Sequence, residues 1–258
     1  MTPALALGIA LVASGLAWLA RGVTASGALA AGIVGFLVLW ATGWPGGAVL
    51  AVFFVSSSLV SRAGARRAGA SDARGEQRDH VQVLANGGAA ALGACAERWF
   101  PGLGLWLVTG ALSAAAADTW ATGLGAFSPR QPRDLLRGVP VARGTSGGVS
   151  LTGTLGGLVG AVLVSGVAAV ASGDAALLLV CSSIGVGGMA LDSLLGAARQ
   201  ARFECPACLV PSERRVHRCG TRTRLVGGWS WLDNDGVNAL MTTVAGAAAG
   251  ISFIMLHP

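Results

Sequence analysis

The residues able to do chemistry in this chain are few, and they lie where they are costly. In ADTWATGLG, Asp118, Thr119 and Thr122 end an apolar run that begins near Leu103, and in GGMALDSLLGAARQ, Asp192 and Ser193 end another, with Arg199 and Gln200 beyond. In RDHVQVLANG, Asp79, Gln82 and Asn86 fall at i, i+3 and i+7, hence on one helix face; Asp235, Asn238 and Thr242 repeat that spacing in NDGVNALMT. Ionisable residues in apolar segments usually line a site or a pathway. Any one cluster reads equally well as interhelical hydrogen-bond glue, but four at one depth indicate a shared polar site. Two aspartates from different helices, with amides and hydroxyls nearby, suit a hard oxygen-ligand ion such as Mg²⁺.

A second group lies in RGTSGGVSLTGTLGG. Arg143, Gly144, Thr145, Ser146, Gly147, Gly148 and Ser150 offer a guanidinium, hydroxyls and backbone N–H groups immediately before a helix start, an arrangement that favours phosphate. A Walker A loop is excluded, because the chain has no lysine. A flexible linker followed by a small-residue packing face is the alternative for this segment alone. Arg78 and Gln82, at the entry of the Asn86 helix, are further candidate phosphate or substrate contacts. Phosphoryl transfer needs mainly positioning and charge neutralisation, and this inventory could supply both without a nucleophilic side chain. A third group, Cys205 and Cys208 in CPAC with His217 and Cys219 in HRCG, has the ligand types of a structural zinc knuckle; unliganded thiols are the alternative.

These groups must be positioned by a membrane bundle. Of 258 residues, 53% are hydrophobic and 12% charged, and the mean hydropathy is +0.65, which places the chain among integral membrane proteins. The N-terminal apolar run lacks a basic leader, so it reads as a first span, not as a signal peptide. Spans about 20 residues long are expected near 4–20, 23–42, 45–61, 81–97, 103–123, 149–172, 174–197 and 236–256. The fold class is therefore an all-α polytopic bundle of about eight spans forming one membrane domain, with residues 198–235 as a cytoplasmic loop holding the zinc knuckle.

The arginines orient it. All but Arg98 fall in the connections on one side, which the positive-inside rule makes cytoplasmic. Both termini are then extracytoplasmic. The connections on that other side are short and turn-like, so the chemistry belongs to the cytoplasmic face. The same distribution explains the net charge of +6 and excludes a nucleic-acid partner as the reason for it.

In order, QVLANG, ADTWAT-x-LG, GTSGGVS-x-TGT, DSLLGA-x-x-Q and ND-x-VN resemble the DUF92 / transmembrane protein 19 family, over about residues 20 to 245. Its plant branch is similar to a phytyl-phosphate kinase. The resemblance implies phosphorylation of an isoprenoid (phytyl or polyprenyl) monophosphate by a nucleoside triphosphate, with Mg²⁺, at the cytoplasmic membrane face. Asn86, Asp118, Thr119, Asp192, Ser193, Asn238 and the loop from Gly144 to Ser150 match its motif positions. On this reading Asp118 and Asp192 hold the metal, Arg143 and the Gly-rich loop cradle the nucleotide, and Asn86 and Asn238 orient the acceptor phosphate. Nucleotidyl transfer to a lipid phosphate and a lipid-handling transporter are the rivals. One departure stands out: the family usually has an acid, as in DTWASELG, where this chain has Gly123.

Overall fold

Several helix starts follow oxygen-bearing side chains that hold otherwise free amides. The computed structural model describes residues 1–68, 77–212, 215–217 and 219–257; Arg74, Arg214 and Arg218 lie outside them. Asp79 opens α3 (His80–Ala94) through a reciprocal capping box with Gln82. Ser150 opens α5 (Leu151–Ser172) and Asp233 opens α7 (Asn234–Leu256), each accepting from a backbone N–H three residues on. Pro3 stands at the first position of α1 (Pro3–Leu19). The other helices are α2 (Ala25–Ala68), α4 (Leu103–Gly125) and α6 (Ala176–Ala198), and a 3₁₀ turn, Cys95–Arg98, extends α3.

α2 is a hairpin of two rods. Gly43 has φ +67°, a left-handed conformation open to glycine, and Pro45 follows. In a continuous helix, residues eight apart are separated by about 12 Å. Here a Cβ on Gly46 would stand 3.2 Å from Val38, and one on Gly47 would strike Leu39. Gly22, just before the first limb, lies beside Phe54 and Arg62 of the second, and the Arg62 guanidinium donates to the Ala20 carbonyl (2.9 Å). Among the described residues the chain therefore forms eight helical rods. Four helices among the described residues are long and apolar enough to cross a membrane: Ala25–Arg67, Leu151–Ser172, Ala176–Ala198 and Asn234–Leu256.

α4 is the central rod, packed against α2, α3, α5, α6 and α7. Trp106, Val108, Leu112 and the run from Ala114 to Ala117 are buried. α1 packs on α2 through Ala6 and Ala10. Small residues set the spacing: a Cβ on Gly64 of α2 would lie 2.6 Å from the Gly123 carbonyl oxygen of α4, so these backbones touch.

The all-α expectation needs correction in the connections, which contain short strands. β1 (Arg133–Asp134) pairs antiparallel with β2 (Gly148–Val149). In the α6–α7 connection, β3 (Arg202–Cys205), β4 (Val210–Ser212) and β5 (Arg224–Gly227) form an antiparallel sheet in the order β4-β3-β5. These runs are too short for hydrophobic periodicity to register.

Gly64→Ala should lower stability by about 1–3 kcal/mol through overpacking of α2 on α4, whereas Gly187→Ala, with open space around it, should be neutral or slightly stabilising. Thermal unfolding in detergent measures both.

Candidate functional site at the arginine-rich end of the bundle

α4 and α6 run parallel, with Ser113 against Gly185 and Ala114 against Gly188. One turn further on, these faces carry Asp118 (114 + 4) and Asp192 (188 + 4), and their carboxyl groups are in hydrogen-bonding contact. Both are partly buried. Two carboxylates that meet in a largely dry place cannot both stay ionised unless a cation joins them.

Asn238 of α7 reaches the same level. Met241, one turn deeper, lies against the space at Gly188 and packs with Ala114, while Thr242 donates to the Ala85 carbonyl of α3 (3.0 Å). Asn238 therefore heads the seam between α3 and the α4–α6 pair. It is 5% exposed; its Nδ2 donates to the Asn234 carbonyl (2.9 Å), and its buried Oδ1 has no hydrogen-bond partner among the described residues. That bond to Asn234 fixes the amide orientation and leaves the oxygen unpaired. Leaving such an acceptor unpaired costs about 1–3 kcal/mol.

Asn86 lies one level deeper. It shares the α4-facing stripe of α3 with Ala90, fully buried, and Gly93, which packs on Leu107. Its Nδ2 donates to the Gln82 carbonyl (2.9 Å). Gln82 itself is held in the cap of α3, its Oε1 accepting from Asp79 N (3.2 Å). Arg78 stands apart from the carboxylates: its guanidinium lies 6.0 Å from the Phe53 and Phe54 ring centres, and burial pushes its pKa down to about 10.

The Gly-rich loop closes the end of this cluster. Gly196, one turn beyond Asp192, leaves room for the loop, since a Cβ there would lie 2.8 Å from Gly147 N. Gln200 Nε2 donates to Ser146 Oγ (2.8 Å). At Gly147 (φ +79°) a side chain would strike Ala197. On the α4 side, Gly125 lies against Ser150, and Arg143 donates to the Gly125 carbonyl (3.4 Å). Gly144 (φ +81°) has open space around it, and Gly148 N donates to the Thr145 carbonyl (3.0 Å). Thr119 and Ser193, each next in sequence to an aspartate, are partly buried.

The structure thus gathers Asp118, Asp192, Asn238 and the loop at residues 143–150, places Asn86 a turn deeper, and keeps Arg78 and Gln82 on the α2–α3 side. Gln200, 4% exposed, is a site residue that the sequence reading did not assign; its place in the DSLLGA-x-x-Q motif was the available signal. Position 123 faces elsewhere: a Cβ on Gly123 would lie 2.6 Å from Val60 Cγ1 and 2.9 Å from Val60 O, on the α2 side of α4. A carboxylate placed at position 123 would accordingly not extend the Asp118–Asp192 pair.

The other end of the bundle is less bare than its short connections imply. A cavity of about 550 Å³ there is lined by Trp99, Phe100, Trp106, Asp174, Phe253 and His257. Trp106 Nε1 donates to Asp174 (2.9 Å), an aromatic arrangement typical of a membrane–water interface.

The family described as "Integral membrane protein DUF92" matches residues 8–246. Protein PGR of Arabidopsis thaliana is 32% identical over 243 residues, covering 81% of this chain and 83% of its own. An uncharacterized membrane protein of Methanocaldococcus jannaschii is 32% identical over 171 residues, covering 66% and 72%, and one of Synechocystis 29% over 228, covering 84% and 77%. No solved structure matches the chain.

Gly123→Glu should lower the melting temperature, and adding Val60→Ala should recover part of the loss. Strictly additive losses in this double-mutant cycle would remove the contact explanation for Gly123.

Proposed function

The chain belongs to the DUF92 family of integral membrane proteins, and from that premise we propose a Mg²⁺-dependent kinase that converts an isoprenoid monophosphate to the diphosphate at the cytoplasmic membrane face. The observations that carry the reading are the Asp118–Asp192 contact and, at the same level on α7, the buried unpaired Oδ1 of Asn238. Two carboxylates and an orphan amide oxygen form a hard, anionic donor set that fits Mg²⁺. This assignment moves Asn238 from the acceptor phosphate to the metal. When bound, the ion would screen the charge of the phosphates brought together for transfer.

The chain's own residues do the rest. Arg143 and the backbone N–H groups between Gly144 and Ser150 hold the nucleotide phosphates at the start of α5, where the helix dipole favours negative charge. Gln200 keeps Ser146 in place. Asn86, a turn deeper, orients the acceptor phosphate, whose isoprenoid tail lies among the helices. An oxygen of that phosphate attacks the γ-phosphorus, a P–O bond forms, the β–γ bridging bond breaks, and nucleoside diphosphate leaves. No general base is required, because the attacking phosphate oxygen is already ionised.

All eight rods span the bilayer in this proposal, with both termini extracytoplasmic. Between the Asp118–Asp192 level and the opposite end, the helices carry no carboxylate or basic side chain. Two hydroxyls at mid-depth on α4 are paired, Ser113 with Ser165 (2.8 Å) and Thr109 with the Leu105 carbonyl (2.7 Å). A polar stepping-stone path through the membrane is therefore not favoured.

Purified protein given phytyl or geranylgeranyl phosphate, Mg²⁺ and each nucleoside triphosphate in turn should yield isoprenyl diphosphate and nucleoside diphosphate. A nucleotide-linked lipid with pyrophosphate would assign nucleotidyl transfer instead. Asp118→Asn and Asp192→Asn should each reduce kcat by roughly 10²-fold or more, and unchanged turnover in both would overturn the metal assignment. Asn238→Ala should raise the Mg²⁺ concentration for half-maximal rate about tenfold.

A C-terminal alkaline phosphatase fusion should be active and the matching green fluorescent protein fusion dark. The reverse pattern would invert the topology.

A further inference from the structure

The α6–α7 connection holds a cluster that phosphoryl transfer does not use. Cys205 ends β3, Cys208 follows in the turn, and the next turn brings back His217 and Cys219; one ligand atom from each lies within 4.8 Å of all the others. From this we infer a tetrahedral Zn²⁺ site, structural in role, that fastens the connection to the Gly-rich loop. The inference does not depend on the kinase reading.

The geometry matches the ion. Zinc bonds of ~2.3 Å to sulfur and ~2.0 Å to nitrogen give tetrahedron edges of about 3.8 Å and 3.5 Å. The Cys205 and Cys219 sulfurs are 3.6 Å apart, and His217 Nδ1 lies 3.2 Å from Cys219 Sγ. A disulfide needs ~2.05 Å, and the cysteines are free. Leu209 adopts φ +56°, uncommon for a residue with a side chain, while its N–H donates to the Cys205 carbonyl (2.8 Å). That turn swings Cys208 back towards Cys205. Three sulfurs and one imidazole, with no oxygen ligand, select zinc over magnesium or calcium, and four protein ligands leave no open position for catalysis.

The fold gives the metal something to hold. Strands of 4, 3 and 4 residues bury Phe203 but leave Val210, Leu225 and Val226 exposed. So small a lobe lacks a sufficient core of its own. β3 begins two residues after Gln200, the residue that holds Ser146. Trp229 N donates to the Arg199 carbonyl (2.8 Å), and Ala201 N donates to the Leu232 carbonyl (2.8 Å), just before the cap of α7. Zinc at Cys205 thereby fixes Gln200 and the start of α7 together.

Full-length protein purified in detergent without chelator should contain about one zinc per chain by elemental analysis. Cys208→Ser and Cys219→Ser should each abolish it, while Cys95→Ser should leave it unchanged. Should a variant fail to fold, chelator-stripped, reduced wild-type chain titrated with Co²⁺ should show the absorption of a tetrahedral cobalt thiolate. Wild-type protein with neither zinc nor a Co²⁺ signal, or an iron–sulfur chromophore instead, would overturn the site. Stripping zinc should raise amide exchange in residues 143–150 as well as in the lobe; unchanged exchange at 143–150 would overturn the link to the Gly-rich loop.

Discussion

Backbone-to-backbone contact around α4 is the constraint from which the rest of the structure follows. Lipid tails are as apolar as leucine, so helices in a bilayer associate through close packing and not through the hydrophobic effect. The glycines of α5 lie on successive carbonyls of α4: Gly153 on Ala121, Gly156 on Trp120, Gly157 on Ala117 and Gly160 on Ala116. Gly185 and Gly188 bring α6 onto Ser113 and Ala114, and Gly110 brings α4 onto Ala245 and Ala249 of α7. With so little side chain between the rods, neither lateral shift nor rotation is cheap. Wherever α4 and α6 carry polar groups on these faces, the groups must meet.

That constraint makes the Asp118–Asp192 contact a consequence of packing one turn below it. Ala114, Gly188 and Met241 form a dry layer, and the layer above holds two carboxylates and the Asn238 oxygen without a matching donor for that oxygen. Burying an unpaired acceptor beside two acids is unfavourable for a helix bundle on its own. It becomes favourable on binding a hard cation, which is why the proposed function begins there. The Gly-rich loop then follows from the same geometry, because the glycines at 147 and 196 let it rest directly on the end of α6, above Asp192.

Much of this was legible in the sequence because membrane helices announce themselves. Most rods lie within a few residues of the expected segments, although the second limb of α2 runs on to Ala68, past its expected end at 61, and the GWPGG turn was readable because Gly43 supplies the positive φ of the reversal. The convergence of Asp118 and Asp192 was legible for a different reason: both stand at the same distance from an arginine-bearing connection. What the sequence concealed was rotation about the helix axes. Spacing puts Gln82 and Asn86 on one face, but the capping box that occupies Gln82 depends on Asp79 adopting the cap. Nor could spacing show that position 123 faces Val60 while Asp118 faces α6, although five residues separate them by about 140° around the helix. The strands of the α6–α7 connection were hidden because their order is set by long-range pairing and the cysteine cluster.

The angular separation of Gly123 from Asp118 also decides what a side chain at position 123 would meet. A carboxylate at 123 would enter the α2–α4 interface near Val60, a region where the Ser57 and Ser58 hydroxyls are buried without partners among the described residues. Gly123 permits the contact with Gly64 that a glutamate there would prevent. The carboxylate pair on the opposite flank is untouched by that exchange. A glutamate at 123 would therefore disturb the close α2–α4 contact without reaching the flank that carries Asp118 and Asp192.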